Sequence, residues 1–447
     1  MKQFDKRMIA LLAAGACAVG VMNMAGMSAG ADTIAGIYTA DETDTSFSRD
    51  VEIDRTRYTF SAHVFGPGVD NLSLKDPYAQ YQWGLRNDGE FQYYEVTNRF
   101  DDINQQLARD IDTANMLGLP APIEGPDAYR LRTTIAVPGI DINISPAWDL
   151  YDASTEEHRQ VIVAIIDTGI DVSHPELAGA LWVNEDEIPD DGIDNDGNGY
   201  VDDVNGWNFF DNSNQIYTGT EDKHGTHTAG TISAVRGSLG IAGITDQNYV
   251  KFMTIKVLGT EEGVGEDEDV VNAIRYAEAN GASICNLSFG TEWHYDDLEQ
   301  VMRESNMLFV VAAGNGDELG YGQNTDENPD YPSSFHLPNI ISVASLMFDG
   351  DLAESSNYGV NSIDIAAPGV LVVSTITENG YGFMSGTSMA APMVTGVAAM
   401  LYSYRTDLAL SDIKTVIMNS AHKLDTLTDK VACGGMLDAY AALTYGR

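Results

Sequence analysis

The stretch HGTHTAG, residues 224–230, carries two histidines that are three positions apart. Such a pair could ligate a metal, could pack at the start of a helix, or could supply the base of a catalytic site. A helical zinc pair usually has its histidines at i and i+4 with a glutamate between them. His224 and His227 match neither feature, so we expect His224 to be a base and His227 to be a packed helix residue.

An aspartate, a serine and an asparagine elsewhere could complete such a site. Asp167 follows six apolar residues, where a carboxylate is costly unless a partner holds it. A carboxylate on one imidazole nitrogen fixes the tautomer and leaves the other nitrogen as a base. Ser388 would be the nucleophile, at a helix start whose free N–H groups favour developing negative charge. Asn315 could donate a side-chain N–H to the same oxyanion.

Each of these residues also has an ordinary structural explanation. Asp167 could be an N-cap, Ser388 could cap a helix over 388–402, and Asn315 could be a turn former. It is their combination with His224 that favours catalysis.

Short runs rich in Val and Ile alternate with helical patterns after Pro146. Such runs are typical of strands covered on both faces, and they occupy residues 161–167, 250–258, 282–288, 307–315 and 339–345. A helix is predicted over 267–281, with Val270, Val271, Ile274 and Ala277 on one face and a glycine suited to its end. The alternation predicts a parallel α/β sheet. Ligands bind at the carboxyl edge of such a sheet, where Asp167, the loop after residue 287 and Asn315 would meet.

The ordered motifs of the chain resemble the subtilisin-like serine proteases, the subtilase family, over residues 76–447. The chain order Asp167, His224, Ser388 is the subtilisin order among serine hydrolases. The matching segments are DPYAQYQWGL (76–85), IIDTGIDVSHPEL (165–177), KHGTHTAG (223–230), NLSFG (286–290), AAGN (312–315), SGTSMAAP (385–392) and GGMLDAYAAL (434–443).

The resemblance implies a fold and a role for each matching residue. The fold would be a three-layer α/β structure with a mostly parallel central sheet and helices on both faces. Asp167 would orient His224, His224 would act as general base and then acid, and Ser388 would attack the scissile carbonyl. Asn315 and the Ser388 N–H would form the oxyanion hole. Substrate backbone would bind along Ser288, Phe289, Gly290, Ala312 and Gly314.

An acidic segment, residues 186–203, predicts a structural calcium site. Its DNDGNG core alternates oxygen ligands as calcium loops do, although Asn205 stands where such loops have a bidentate glutamate. A solvated acidic turn is the alternative. The resemblance supports calcium, because some subtilases carry a similar calcium-binding insertion. The predicted ligands are Asp194, Asp196, Asn198, Tyr200 and Asp203, with Asp202 as an alternative closing ligand.

The composition and the N-terminus limit location and partners. With 67 acidic and 24 basic residues and a net charge of −43, the chain is unsuited to nucleic acid or an anionic membrane. Residues 1–31 resemble a secretory signal, with a retained membrane anchor as the alternative, so we expect a secreted protein. The resemblance to the subtilases implies protein or peptide substrates, and we expect a monomer. Residues 32–75 would be a leader or short pro-segment, and 76–447 the peptidase domain. Residues 87–140 would be an insertion, with a helix near 103–116.

Four further points concern the two cysteines, one acidic loop and two alternative functions. Cys285 and Cys433 are expected to be two separate thiols rather than a bridge. The acidic loop 316–330 either decorates the surface or favours basic residues before the cleaved bond. The chain could also be an inactive calcium-binding surface protein on a protease scaffold. An α/β-hydrolase esterase is disfavoured, because it would show G-x-S-x-G with the histidine last.

Overall fold

A computed structural model describes residues 8–10, 46–53, 56–65, 72, 74–99, 131–237, 239–259, 264–317 and 320–447. The predicted helix near 103–116 and most of the predicted signal segment lie outside these ranges. None of the helices within them combines the length and the hydropathy that crossing a bilayer requires.

The secondary structure follows the predicted alternation after residue 146. The strands are β1 (Met8–Ala10), β2 (Ser46–Ile53), β3 (Thr56–Phe65), β4 (Gln92–Arg99), β5 (Leu131–Ile135), β6 (Val161–Asp167), β7 (Gly206–Asn208), β8 (Val250–Lys256), β9 (Val264–Glu266), β10 (Ile284–Leu287), β11 (Leu308–Ala312), β12 (Ile340–Leu346), β13 (Ile365–Pro368), β14 (Val372–Ile376), β15 (Gly380–Met384), β16 (His422–Lys423) and β17 (Gly435–Met436). The helices are α1 (Ile144–Asp152), α2 (Lys223–Ser233), α3 (Asp267–Ala279), α4 (Asp296–Glu304), α5 (Thr387–Tyr404), α6 (Leu410–Ser420) and α7 (Ala439–Thr444).

The central sheet has nine strands in the order β16-β17-β13-β12-β11-β10-β6-β8-β7. Its neighbours pair in parallel, except β16 with β17. After β6 the chain places β8 on one side, and β10, β11 and β12 on the other. The strand order therefore reverses between β6 and β10, and the carboxyl ends of these two strands border the crevice where such sheets bind ligands.

Helices cover both faces of this sheet, as predicted. Alternate residues of β6 point to opposite sides: Val161, Val163 and Ile165 join one core, and Ala164 and Ile166 join the other. The first core is closed by α1, α2, α5, α6 and α7, and the second by α3 and α4. The apolar face predicted for α3 is buried in the second core. The helix ends at Ala279 rather than at 281, and Gly281, two residues after it, adopts φ +83°. The three-layer α/β fold is thus confirmed.

A separate antiparallel sheet joins two segments that the sequence analysis assigned to different regions of the chain. Strands β2 and β3 come from the predicted leader, β4 and β5 come from the predicted insertion, and the order is β2-β3-β4-β5. The central pairing runs from Tyr58 opposite Arg99 to Phe65 opposite Gln92. Two further two-stranded pairs, β1 with β9 and β14 with β15, are also antiparallel. Both Cys285 and Cys433 are free thiols, as expected.

Candidate active site

Asp167 and His224 form a buried hydrogen-bonded pair at the end of β6. His224 Nδ1 lies 2.7 Å from Asp167 Oδ1, and the two residues are 7% and 0% exposed. The N–H of Thr168 also donates to Asp167 Oδ1 at 2.7 Å. His224 Nε2 is shielded from solvent and has no hydrogen-bond partner among the described residues. The carboxylate therefore holds Nδ1 in its protonated form and leaves Nε2 as the basic nitrogen.

A glycine brings the helix that carries His224 close to β6. A Cβ atom on Gly225 would lie 2.2 Å from the carbonyl oxygen of Gly169 and 3.2 Å from Asp167 Cβ. This close approach allows the N–H of Gly225 to donate to Thr168 Oγ1 at 3.0 Å. Any larger residue at this position would push α2 away and stretch the Asp167–His224 bond.

His227 is a packed helix residue, as the sequence predicts. It is fully buried, and its Nε2 lies 2.9 Å from the carbonyl oxygen of Val372. Burial lowers the pKa of His227 to about 3, so the ring is neutral at ordinary pH.

Ser388 lies in the first turn of α5, which packs against α2. It is joined to Ser288, the residue that follows β10, by two hydrogen bonds. Ser388 Oγ donates to the carbonyl of Ser288 at 2.9 Å, and Ser288 Oγ donates to the carbonyl of Ser388 at 3.0 Å. Since Leu287 pairs with Ile166, Ser288 lies beside Asp167, and all three candidate catalytic residues meet at one sheet edge. The described hydrogen bonds do not join Ser388 Oγ to His224 Nε2.

A proline in α5 explains why the Ser388 carbonyl accepts from Ser288. Pro392 lies inside the helix, four residues after Ser388. It has no N–H to donate to the carbonyl at i−4, and a buried carbonyl without a partner is costly. The hydroxyl of Ser288 supplies the missing donor, so this residue has a structural function that the sequence analysis missed.

Asn315 is oriented by Thr387, another residue that the sequence analysis did not single out. Asn315 Oδ1 accepts hydrogen bonds from the Thr387 N–H at 2.9 Å and from Thr387 Oγ1 at 3.0 Å. Thr387 Oγ1 also accepts from the N–H of Gly314 at 3.1 Å. Because Oδ1 is committed to Thr387, Nδ2 is the branch of the amide that can serve an oxyanion near Ser388.

The predicted substrate-binding residues flank this site. Ser288, Phe289 and Gly290 follow β10, while Ala312 ends β11 and leads to Gly314. The side chain of Phe289 is buried in the second core. Only the backbone of this position can therefore contact a substrate.

The predicted calcium loop brings two of its five candidate ligands together with a residue that was not predicted. Oxygen atoms of Asp194, Asp196 and Glu187 lie within 4.8 Å of one another. Glu187 precedes the alternating motif, and only its acidic surroundings could have pointed to it. No lysine, arginine or histidine among the described residues forms an ion pair with the three carboxylates. Their clustered negative charge and oxygen chemistry suit calcium.

The other three predicted ligands have different contacts. Asn198 Nδ2 donates to Asp196 Oδ2 and to Asp203 Oδ2, each at 3.0 Å. Asp203 is buried and also accepts from Asn184 Nδ2 at 2.9 Å and the Tyr276 hydroxyl at 2.6 Å. The Tyr200 ring packs against Trp207, Phe209 and Tyr276.

Comparison with known proteins decides the family. The profile of the subtilase family, peptidase S8, matches residues 158–436. The chain belongs to the subtilase family. The major intracellular serine protease of Bacillus subtilis (strain 168) is 34% identical to this subtilase over 249 residues, which are 55% of this chain and 69% of that protein. Thermitase of Thermoactinomyces vulgaris is 32% identical over 308 residues, which are 68% of this chain and 94% of that enzyme.

A solved structure supports the same fold. A protease from Pseudoalteromonas arctica PAMC 21717 superposes on this subtilase with a TM-score of 0.53 at 25% identity, covering 68% of this chain and 93% of that one. Some relatives are longer, and the chain spans 53% and 64% of the length of two of them. The predicted resemblance is confirmed, and the subtilase is a serine protease by family.

Proposed function

We propose that this subtilase is a secreted serine endopeptidase that uses Asp167, His224 and Ser388 through an acyl-enzyme intermediate. The observation that carries the proposal is the 2.7 Å bond between His224 Nδ1 and Asp167 Oδ1, which leaves Nε2 as the nitrogen that can accept the Ser388 proton. The signal-like residues 1–31 support secretion.

The reaction begins when substrate binding turns the Ser388 hydroxyl from the Ser288 carbonyl to His224 Nε2. His224 takes the hydroxyl proton as Oγ attacks the scissile carbonyl carbon, and Asp167 stabilises the imidazolium. Asn315 Nδ2 and the Ser388 N–H donate to the oxyanion. The imidazolium then protonates the leaving amine, and water hydrolyses the acyl-enzyme with His224 again as the base.

We also propose that calcium is a structural cofactor of this subtilase. Glu187, Asp194 and Asp196 would hold the ion. The ion would neutralise their charge and fix the loop that precedes β7. It takes no part in the proton transfers at Ser388.

The experiment compares casein hydrolysis by wild type, Ser388→Ala and Ser420→Ala, with and without a serine-directed fluorophosphonate. Ser420 lies at the end of α6, and its Oγ donates to the carbonyl of Ile417 within the same helix. We expect wild type and Ser420→Ala to cleave casein, to be inhibited, and to carry the label on the peptide that contains residue 388. Casein cleavage by Ser388→Ala at the wild-type rate would refute the proposed nucleophile.

A further inference from the structure

Asp330 has a buried carboxylate oxygen that none of the described residues satisfies. Its Oδ1 atom is shielded from solvent and has no hydrogen-bond partner among them. Burial raises the pKa of Asp330 well above its usual value, and the nearby charge of Glu292 raises it further. Asp167 and Glu176 each have one such oxygen as well, but the other oxygen of each accepts hydrogen bonds, from the Thr168 N–H and from the Gly240 N–H respectively. A buried polar atom without a partner is costly, and a ligand that supplies the missing donor would remove the cost.

The carboxylate lies between the two segments that flank the candidate active site. On one side, Tyr331 and Thr291 exchange two backbone hydrogen bonds of 2.8 Å, which fix Asp330 beside the chain leaving Gly290. On the other side, a Cβ atom placed on Gly314 would lie 3.0 Å from Asp330 Oδ2.

The backbone around this carboxylate is held in place. The Asp330 carbonyl accepts from the Ser334 N–H at 2.8 Å and from Ser333 Oγ at 2.9 Å. Asn357 donates its N–H to the Gly314 carbonyl at 2.9 Å and its Nδ2 to the Ala313 carbonyl at 3.0 Å. The carboxylate is therefore presented by a fixed frame.

Gly314 leaves the approach to Asp330 open. Its φ of +104° favours glycine, and any Cβ there would lie 2.2 Å from Asn357 Nδ2. The next residue is Asn315, which would contact the oxyanion of the scissile carbonyl. The substrate residue that contributes this carbonyl is called P1. Its side chain must therefore lie near the Ala312–Gly314 and Ser288–Gly290 segments.

We propose that Asp330 recognises a cationic P1 side chain, so that this subtilase cleaves after arginine or lysine. A guanidinium or ammonium group would pair with the carboxylate and would supply the hydrogen bonds that Oδ1 lacks. No lysine, arginine or histidine among the described residues forms an ion pair with Asp330. The carboxylate of Glu292 adds to the negative potential. This inference rests on the proposed function, because it assigns specificity to the same site.

The test uses peptide substrates that differ only at P1, with arginine or its neutral isostere citrulline. We expect wild type to prefer arginine by about 10²-fold in kcat/KM, the size of effect of a desolvated charge pair. Asp330→Asn should bring the preference close to unity, mainly by lowering kcat/KM for the arginine peptide. Glu327→Gln removes an exposed acid from the same loop and should keep the wild-type preference.

Each outcome separates the inference from the proposed function. Wild type that cleaves citrulline as well as arginine overturns the inference and leaves the endopeptidase intact. An equal loss in Glu327→Gln and Asp330→Asn overturns it as well, because the effect would then belong to the general acidic surface. No cleavage of either peptide, with no label on Ser388, refutes the proposed function itself. If Asp330→Asn does not fold, inhibition of wild type by benzamidine but not by neutral benzamide supports the inference, and equal inhibition overturns it.

Discussion

Lys256 Nζ lies 2.6 Å from Asp222 Oδ1, and both side chains are buried. Lys256 ends β8 opposite Asp167 and also donates to the carbonyl of Thr168. Asp222 directly precedes the helix that carries His224. Through its bonds to the Thr168 carbonyl and to Asp222, Lys256 therefore ties the end of β6, which bears the candidate acid, to the helix that bears the candidate base.

Replacing Lys256 by methionine should destabilise the protein by about 3–5 kcal/mol, because Asp222 would remain as an uncompensated buried charge. Urea unfolding in a Ser388→Ala background, which prevents autolysis, measures the loss. The double variant Lys256→Met/Asp222→Asn should recover part of it. A double variant less stable than the single one would show that the buried carboxylate is not the cause.

Replacing Ser288 by alanine should cost about 1–3 kcal/mol, because the buried Ser388 carbonyl loses the hydrogen bond from the Ser288 hydroxyl. Pro392→Ala restores an N–H four residues after Ser388. Ser288→Ala should therefore cost less in the Pro392→Ala background than in wild type, and thermal unfolding of the four proteins of this cycle measures the difference. Additive losses would contradict the explanation given for Pro392.

Acid should destabilise the protein through His227. Its folded-state pKa of about 3 lies below the 6.5 expected when it is unfolded, so the unfolded state binds the proton first. The stability that this residue contributes is present above pH 6.5 and is lost as the pH falls towards 3, by about 2 kcal/mol at pH 5. Unfolding of His227→Gln and its parent at pH 7 and pH 5, both in a Ser388→Ala background, should show a smaller pH effect in the variant. The same pH effect in both proteins would contradict this assignment.

Calcium should raise the unfolding free energy of the Ser388→Ala protein, by about 2.7 kcal/mol when the free ion is at 100 times its Kd. Asp194→Asn and Glu187→Gln should each reduce this gain, since each removes a charged oxygen ligand. Glu185→Gln, which changes an exposed acid on the same segment, should keep it. Melting curves with added calcium and with a chelator make the comparison, and a gain that survives in Asp194→Asn would place the ion elsewhere.

Strands of the central sheet were predictable because each one is locally distinctive. The strand predicted for VIVAIID, residues 161–167, has the same bounds in the structure. Burial on both faces of a sheet requires such a continuous apolar run. The β2-β3-β4-β5 sheet was missed, although Tyr58, Phe60, Ala62 and Val64 alternate with polar residues in β3. That alternation signals a strand but does not identify its partner, β4, which lies more than twenty residues further along the chain.

The sequence by itself determined the chemistry of the candidate site, because a carboxylate after an apolar run, a histidine in a glycine-rich helix start and a serine before a small-residue helix are local patterns. Only the tertiary structure decided how these groups are held. The hydrogen bond of Ser288 to the Ser388 carbonyl, the orientation of Asn315 by Thr387 and the unsatisfied carboxylate of Asp330 all join residues distant in sequence. A hydrogen bond depends on distance and direction in space, and the linear order of residues does not contain these until the sheet and its helices have packed.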